Sequence, residues 1–148
     1  KMNNTARAAA SWQFWLIAVV GLLWNGFGGY DYTMTMTKNT AYLSQMGNPQ
    51  EIIDWVEAFP MWAQIGYGFG VWGSVAGSLL MLLRSRHAVT AFLVSFAGAV
   101  ISFASQMMNA LPASLDTTAG KIIPFVILVV VAFFWWYCRK QTAAGVLR

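Results

Sequence analysis

The 148-residue sequence is poor in charged residues, cysteine and histidine, and each shortage excludes a class of function. Charged residues make up only 9% of the chain, against about a quarter in soluble domains, whereas hydrophobic residues make up 58%. The lone cysteine, Cys138, excludes both an intrachain disulfide and a cysteine metal site. The lone histidine, His87, excludes a bis-histidine haem site. This composition indicates a membrane protein that the bilayer solvates.

The sequence also lacks the residue patterns of catalysis and of active transport. No Asp, Glu, Lys, Arg or His falls in the middle of a long apolar run, where proton relays and ion-coupled transporters place such groups. We find no nucleophile–base pair, no metal cluster and no phosphate-binding loop. We therefore predict no catalytic residue, no metal site and no enzyme activity. We expect no cofactor other than bound lipid.

The charges that are present are segregated by sign. Seven basic residues lie in three segments that flank the apolar runs: Lys1, Arg7, Arg84, Arg86, Arg139, Lys140 and Arg148. The two remaining polar segments hold all the acidic residues with two lysines: Asp31, Glu51, Asp54, Glu57, Asp116, Lys38 and Lys121. The positive-inside rule then predicts four membrane helices with both termini in the cytoplasm. Because the basic residues form no stripe or cluster, we do not expect nucleic acid as a partner.

The apolar runs predict the bounds of an all-α membrane domain that covers residues 1–148. The four transmembrane helices are expected at about 11–30, 59–83, 87–108 and 122–138, each long enough to cross a bilayer with some tilt. Aromatic residues near the ends of these runs are expected to anchor them at the headgroup level. These anchors are Trp12, Trp15, Tyr30, Trp55, Trp62, Trp135 and Trp136.

The segment between the first two runs, 31–58, is too long for a simple link and is expected to be structured. Asn48, Pro49 and Glu51 have the pattern of an N-cap, a first-turn proline and a first-turn glutamate. They predict an amphipathic helix over about 49–58 that lies on the bilayer or over the bundle.

The second run carries small residues at helical spacing, a pattern that lets membrane helices approach closely. These predicted packing residues are Gly66, Gly70, Gly73, Ser74, Gly77 and Ser78. The pattern favours packing within the chain, and contact with a second chain, as in a homo-oligomer, is the alternative.

Four amides lie within the runs or at their boundaries: Asn25, Gln64, Gln106 and Asn109. Ser95, Ser102 and Ser105 add a polar seam to the third run, together with Gln106. Two interpretations are open for the amides. They either form a small polar pocket near the outer leaflet or make hydrogen bonds between helices.

The layout from Trp24-Asn25, through Phe59-Pro60-Met61-Trp62 and the glycine-rich second run, to Arg84-Ser85-Arg86 resembles small bacterial four-helix inner-membrane proteins. Some of those proteins carry an automatic label of sugar transporter. The glycine-rich second helix followed by a short basic turn is more distantly similar to the DoxX-like families. The resemblance implies a bacterial inner membrane with periplasmic outer loops, and it carries over no functional residue because its motifs are structural.

Three functions follow from these observations. The leading one is a non-catalytic accessory or scaffold protein that contacts membrane lipids and other membrane-protein chains. The alternative is a passive carrier or channel for a small neutral solute such as a sugar, lined by the amides and by Trp24, Trp62 or Trp72. The third is a subunit of a quinone-linked oxidoreductase, which only the DoxX-like analogy suggests.

Overall fold

The structure is a computed structural model that describes residues 9–108, 112–113 and 115–148, and within these residues it contains helices and no strand. The helices are α1 (Trp12–Met36), α2 (Thr40–Leu43), α3 (Pro49–Glu57), α4 (Met61–Leu82), α5 (His87–Met108) and α6 (Thr118–Ala143). Three of them, α4, α5 and α6, are long and apolar enough to cross a membrane. The 25-residue α1 is not among these three, because Gln13 and Asn25 lower the hydropathy of its apolar stretch.

The expected bounds of two helices are wrong, at the end of the first and at both ends of the last. The first helix was expected to end at residue 30, but α1 continues to Met36. Its last two turns still pack on α4, where the ring of Tyr32 contacts Tyr67, and this packing overrides the glycines that precede it. The last helix was expected over 122–138, but α6 begins at Thr118, where the Thr117 hydroxyl caps it, and continues to Ala143.

Three helices end in the same hydrogen-bonded motif. In α6 the N–H of Val146 donates to the carbonyl of Gln141, and the N–H of Gly145 donates to that of Thr142, which is the Schellman pattern. The motif needs one residue in the left-handed region just after the helix. The three residues in that position are Lys38 (φ 58°), Arg84 (φ 55°) and Gly145 (φ 83°). Glycine suits this region best because it has no Cβ.

The long helices pack in the order α1, α4, α5 and α6, with each helix against the next. The closest pair is α4 with α5, which run antiparallel along their whole length. Side chains also join α6 to α1, since the Phe134 ring lies against Gly21 and the Tyr137 ring stacks on Phe14. The short helices α2 and α3 lie between α1 and α4 in sequence and contact each other.

The two ends of the bundle carry opposite charge. The basic end holds five cationic residues of the described chain: Arg84, Arg86, Arg139, Lys140 and Arg148. The opposite, acidic end holds α2, α3 and the start of α6. Both lysines of the acidic end form ion pairs, Lys38 with Glu57 and Lys121 with Asp116. Both pairs are well exposed and contribute little to stability. They nevertheless neutralise the two lysines that lie at the otherwise acidic end.

The main hydrophobic core lies toward the basic end. Phe92 of α5 stacks on Phe134 of α6, with ring centroids 5.3 Å apart, and Phe14, Met81 and Cys138 complete its centre. All five side chains are buried. The three buried residues of α6 are Val131, Phe134 and Cys138, all in its second half, and the half-buried Ile127 and Val130 also pack against the core.

A return segment closes the basic end of the core. After Gly145 the chain folds back, and Val146 and Leu147 enter the core as buried side chains. Backbone hydrogen bonds then join residues 146–148 to the turn between α4 and α5. Arg148 exchanges them with Arg84 and Arg86 at 3.0 and 3.1 Å, and the Arg84 Nε donates to the carbonyl of Val146. The return segment thus ties the end of α6 to the α4–α5 turn.

Candidate functional site

The structure separates two of the predicted pocket amides, Asn25 and Gln64. Asn25 is buried on α1, and its Nδ2 donates a 2.7 Å hydrogen bond to the Oγ of Ser78 on α4. Ser78 in turn donates to the carbonyl of Ser74. Gln64 lies fourteen residues before Ser78 on the same helix, which corresponds to about 21 Å. Asn25 and Gln64 therefore cannot line one small pocket.

The remaining amides lie near the acidic end. The Nε2 of Gln64 donates to the backbone carbonyl of Phe59, a bond that joins the first turn of α4 to the segment before it. Gln106 is half-buried two residues before the end of α5. Asn109 lies outside the described residues. Of the two interpretations, hydrogen bonding between helices describes Asn25, whereas the bond of Gln64 stays next to its own helix.

The small residues of α4 divide between two neighbours. A Cβ added at Gly66, Gly70 or Gly73 would contact the backbone of α5, and one added at Gly77 would meet the ring of Phe92. Ser74 and Ser78 are buried and lie on the side of α1, where Ser78 accepts the bond from Asn25. The expected ladder of Gly66, Gly70, Ser74 and Ser78 is therefore split between two interfaces. Both interfaces lie within the chain.

The glycine face of α4 meets a glycine of α5 that the sequence pattern did not single out. A Cβ at Gly98 would lie 2.6 Å from both the carbonyl oxygen of Gly66 and the nitrogen of Gly70. One turn away, the Oγ of Ser95 donates a 2.5 Å hydrogen bond to the carbonyl of Gly70. Close backbone approach and a hydroxyl bond together are a common means of joining helices in lipid. The signal for Gly98 is its position on the buried stripe that also carries Ser95 and Ser102.

A second polar group, the tyrosine cluster, lies toward the acidic end of α1. It consists of Tyr30, Asp31, Tyr32, Tyr42, Tyr67 and Trp72, and so contains four of the five tyrosines of the chain. Asp31 is half-buried in the last third of α1, and its Oδ1 accepts a 2.5 Å hydrogen bond from the hydroxyl of Tyr42. The ring of Tyr42 meets Tyr30 edge to face at 5.4 Å. These contacts hold α2 on α1.

Aromatic contacts continue from α1 to α4. The ring of Tyr32 lies 4.8 Å from that of Tyr67 and 5.9 Å from that of Trp72, both edge to face. Gly29 allows this approach, since an added Cβ would lie 3.2 Å from the indole of Trp72. The cluster therefore fixes the last turns of α1 against the middle of α4. The sequence alone places Asp31 in a polar segment and gives no sign of its partner, because Tyr42 lies eleven residues away in the loop.

The tyrosine cluster combines one carboxylate with several phenols, which suits hydrogen bonding to neutral hydroxyl compounds. Burial raises the pKa of Tyr42 above its ordinary value, and the hydrogen bond to Asp31 and the charge of that carboxylate raise it further. The phenol therefore stays protonated and donates to the carboxylate at neutral pH. Among the residues that the structure describes, no group of three or more His, Cys, Asp and Glu side chains is placed to hold a metal ion.

The predicted interfacial aromatics occupy different environments. Trp12, Trp15, Tyr30, Trp62 and Trp136 are exposed. Trp55 is half-buried, since its ring packs edge to face on Phe59 at 4.9 Å. Trp135 is also half-buried and lies beneath the guanidinium of Arg139, with 4.9 Å between Cζ and the ring centroid. Trp24, Trp62 and Trp72 all have substantial exposure, whereas Asn25 is buried.

Comparison with protein-family models, with curated proteins and with solved structures gives no match to this chain. The geometry described above is therefore the basis for any functional argument.

Proposed function

We propose that the protein is a non-catalytic accessory or scaffold protein of a bacterial inner-membrane complex. The observation that supports this proposal most strongly is the use of embedded polar groups within the chain. Asn25 bonds to Ser78 between α1 and α4, and Ser95 bonds to Gly70 between α5 and α4. A solute pathway needs such groups free to contact the solute, whereas Asn25 and Ser95 use theirs to join helices.

The proposal includes four membrane crossings, with α1 as the fourth. At 25 residues, α1 is about 37 Å long, more than the roughly 30 Å of the hydrocarbon core. Its exposed residues between the terminal tryptophans and the tyrosine cluster are all aliphatic or aromatic, as lipid contact requires: Leu16, Val19, Val20, Leu23, Trp24 and Phe27. The basic end then faces the cytoplasm, and α2, α3 and the tyrosine cluster face the periplasm.

A scaffold needs surface for other chains, and the first half of α6 offers it. None of the residues 118–130 is buried, and Ile122, Phe125 and Val129 are all more than half exposed. The other long helices have buried residues along both halves. A helix of another membrane protein that packs on this surface would complete the burial of α6.

Copurification from native membranes in a mild detergent, followed by native mass measurement, tests the proposal. We expect a stoichiometric partner chain that is lost in a Val129→Arg variant and retained in a matched Leu79→Arg variant, because Leu79 is exposed on a different helix. A protein that copurifies with no other chain under these conditions would contradict the accessory function. A partner with quinone-linked redox activity would place the complex in the class that the DoxX-like resemblance suggests.

A second function, a passive carrier for a neutral solute such as a sugar, is favoured by the tyrosine cluster alone. Its carboxylate, phenols and indole are the groups that sugar-binding surfaces use for hydrogen bonding and stacking. Saturable sugar uptake by proteoliposomes of the purified protein would establish this function. Uptake should then fall in Asp31→Asn and persist in Asp54→Asn, a matched change of an exposed carboxylate in α3. We expect no saturable uptake.

A further inference from the structure

A groove of about 400 Å³ lies between α1 and α6 at the basic end. Its α1 wall runs from Ser11 to Ile17, and its α6 wall runs from Phe133 to Gln141. Beside it the two helices are held apart by large side chains, since the Phe14 ring stacks on Tyr137 and the Phe134 ring lies against Gly21.

The lining of this inner groove changes character along the helix axes. At the basic end it is polar, with Ser11, Gln13, Lys140 and Gln141. One to two turns further toward the bundle centre it is apolar, with Leu16, Ile17 and Phe133. From Gln141 to Phe133 the change takes eight residues, or about 12 Å of helix. A polar mouth that leads into an apolar cleft is complementary to an amphiphile with a headgroup and an acyl chain.

The charge at the polar mouth is positive. Lys140 lines the groove, and a smaller adjoining depression is formed by Trp136, Arg139 and Lys140. The Lys140 ammonium lies 5.2 Å from the centroid of the Trp136 ring, a cation–π contact that holds this cation beside the groove. The start of α1 and the end of α6 contribute partial charges of opposite sign that largely offset each other. No acidic residue lines either depression.

We propose that the inner groove binds an anionic phospholipid, with its phosphate at Lys140 and Arg139 and one acyl chain along Leu16 and Phe133. Basic depressions between membrane helices on the cytoplasmic side commonly hold anionic headgroups. The arrangement of Trp12 and Trp136 at the mouth matches the level of the headgroups, where indole rings are favoured. The site rests on the proposed topology, in which α1 crosses the membrane and the basic end faces the cytoplasm, but it requires neither a partner chain nor solute transport.

Native mass spectrometry of the detergent-purified full chain tests this assignment. The probes are phosphatidylglycerol and phosphatidylcholine with identical acyl chains. We expect phosphatidylglycerol to bind at least about fivefold more tightly, since one lysine near a headgroup has roughly that effect on affinity. Lys140→Gln should remove most of this preference. Arg86→Gln removes the same charge from the same end, but Arg86 does not line the groove, so this variant should keep the preference.

A second pair of variants tests the acyl-chain half of the groove. Leu16→Trp fills the cleft without a change of charge and should weaken phosphatidylglycerol binding, whereas Leu23→Trp on the exposed face of α1 should not. Both leucines are exposed, so both variants should retain the helical signal of the wild type. The assignment would be overturned if the two lipids bound with equal affinity, or if Lys140→Gln and Arg86→Gln lost the preference for phosphatidylglycerol to the same extent. Displacement of phosphatidylglycerol by inorganic phosphate would overturn it as well.

Discussion

Replacement of Gly98 by alanine should loosen the α4–α5 interface more than the same replacement at any other described glycine of α4 or α5. The added Cβ would lie 2.6 Å from two backbone atoms, the oxygen of Gly66 and the nitrogen of Gly70. Ordinary van der Waals contact begins near 3.4 Å, so the two backbones must separate by about 0.8 Å. Because both contacts are to backbone, no side-chain rotation can relieve them.

The expected cost combines two effects. Overpacking of a well-packed interface costs about 1–3 kcal/mol. Separation of the helices would also weaken the bond from Ser95 to the carbonyl of Gly70, and a bond between membrane helices contributes about 0.6 kcal/mol. The higher helix propensity of alanine offsets up to about 1 kcal/mol of this cost. We therefore expect Gly98→Ala to lower the free energy of unfolding by about 1–3 kcal/mol.

Gly26→Ala provides the matched control. Gly26 is in the interior of α1, and an added Cβ there would meet nothing within 4 Å. Alanine favours a helix over glycine by up to about 1 kcal/mol, so this variant should be neutral or slightly more stable. Reversible unfolding in mixed micelles, followed by circular dichroism as the fraction of denaturing detergent rises, measures both variants. Equal stability of Gly98→Ala and Gly26→Ala would refute the close-approach argument.

Three further predictions concern the buried bond, the return segment and the tyrosine cluster. Asn25→Leu and Ser78→Ala should show a coupling energy of about 0.6–1.7 kcal/mol in a double-mutant cycle, and simple additivity would contradict their hydrogen bond. Leu147→Ala should lower the free energy of unfolding by about 2–4 kcal/mol, whereas Leu83→Ala, at an exposed site, should have little effect. Similar losses of stability in the two variants would argue against the buried return segment. The pKa of Tyr42 is higher in the folded protein than in the unfolded chain, so the contact with Asp31 stabilises the fold below about pH 10 and this stability is lost as the pH rises further. An absorbance titration of Tyr42→Phe should lack one of the late-ionising tyrosines that the wild type shows, and a titration curve identical to that of the wild type would contradict the contact.

Features that depend on local sequence could be predicted well. The apolar run that begins at His87 predicted a helix over 87–108, and α5 covers His87–Met108. Asn48 and Pro49 predicted a helix start, and α3 begins at Pro49 with Asn48 as its N-cap. The low charge content indicated a membrane protein with four spanning helices, and three of the described helices have the length and composition to cross a membrane. In each case the deciding residues lie within a few positions of the feature.

Features that depend on contacts between distant residues could not be predicted from one sequence. The predicted pocket residues all carry the same carboxamide group, so the sequence does not distinguish their partners. Only the register between α1 and α4 determines that Asn25 meets Ser78 and lies far from Gln64. The return segment depends on pairing between Arg148 and Arg84, which are 64 residues apart. Helix α1 passes the expected stop at Tyr30 because tertiary packing of its last turns outweighs local signals.

The central claim is that α1 crosses the membrane, so that the chain spans it four times with the basic end in the cytoplasm. Single cysteines at Ala9, Asn48 and Ser85, probed with an impermeant thiol reagent in spheroplasts, test it most directly, and the wild type controls for the buried Cys138. We predict that Asn48→Cys is labelled in intact spheroplasts, and that Ala9→Cys and Ser85→Cys are labelled only after permeabilisation. Labelling of Ala9→Cys and Asn48→Cys from the same side would contradict the claim.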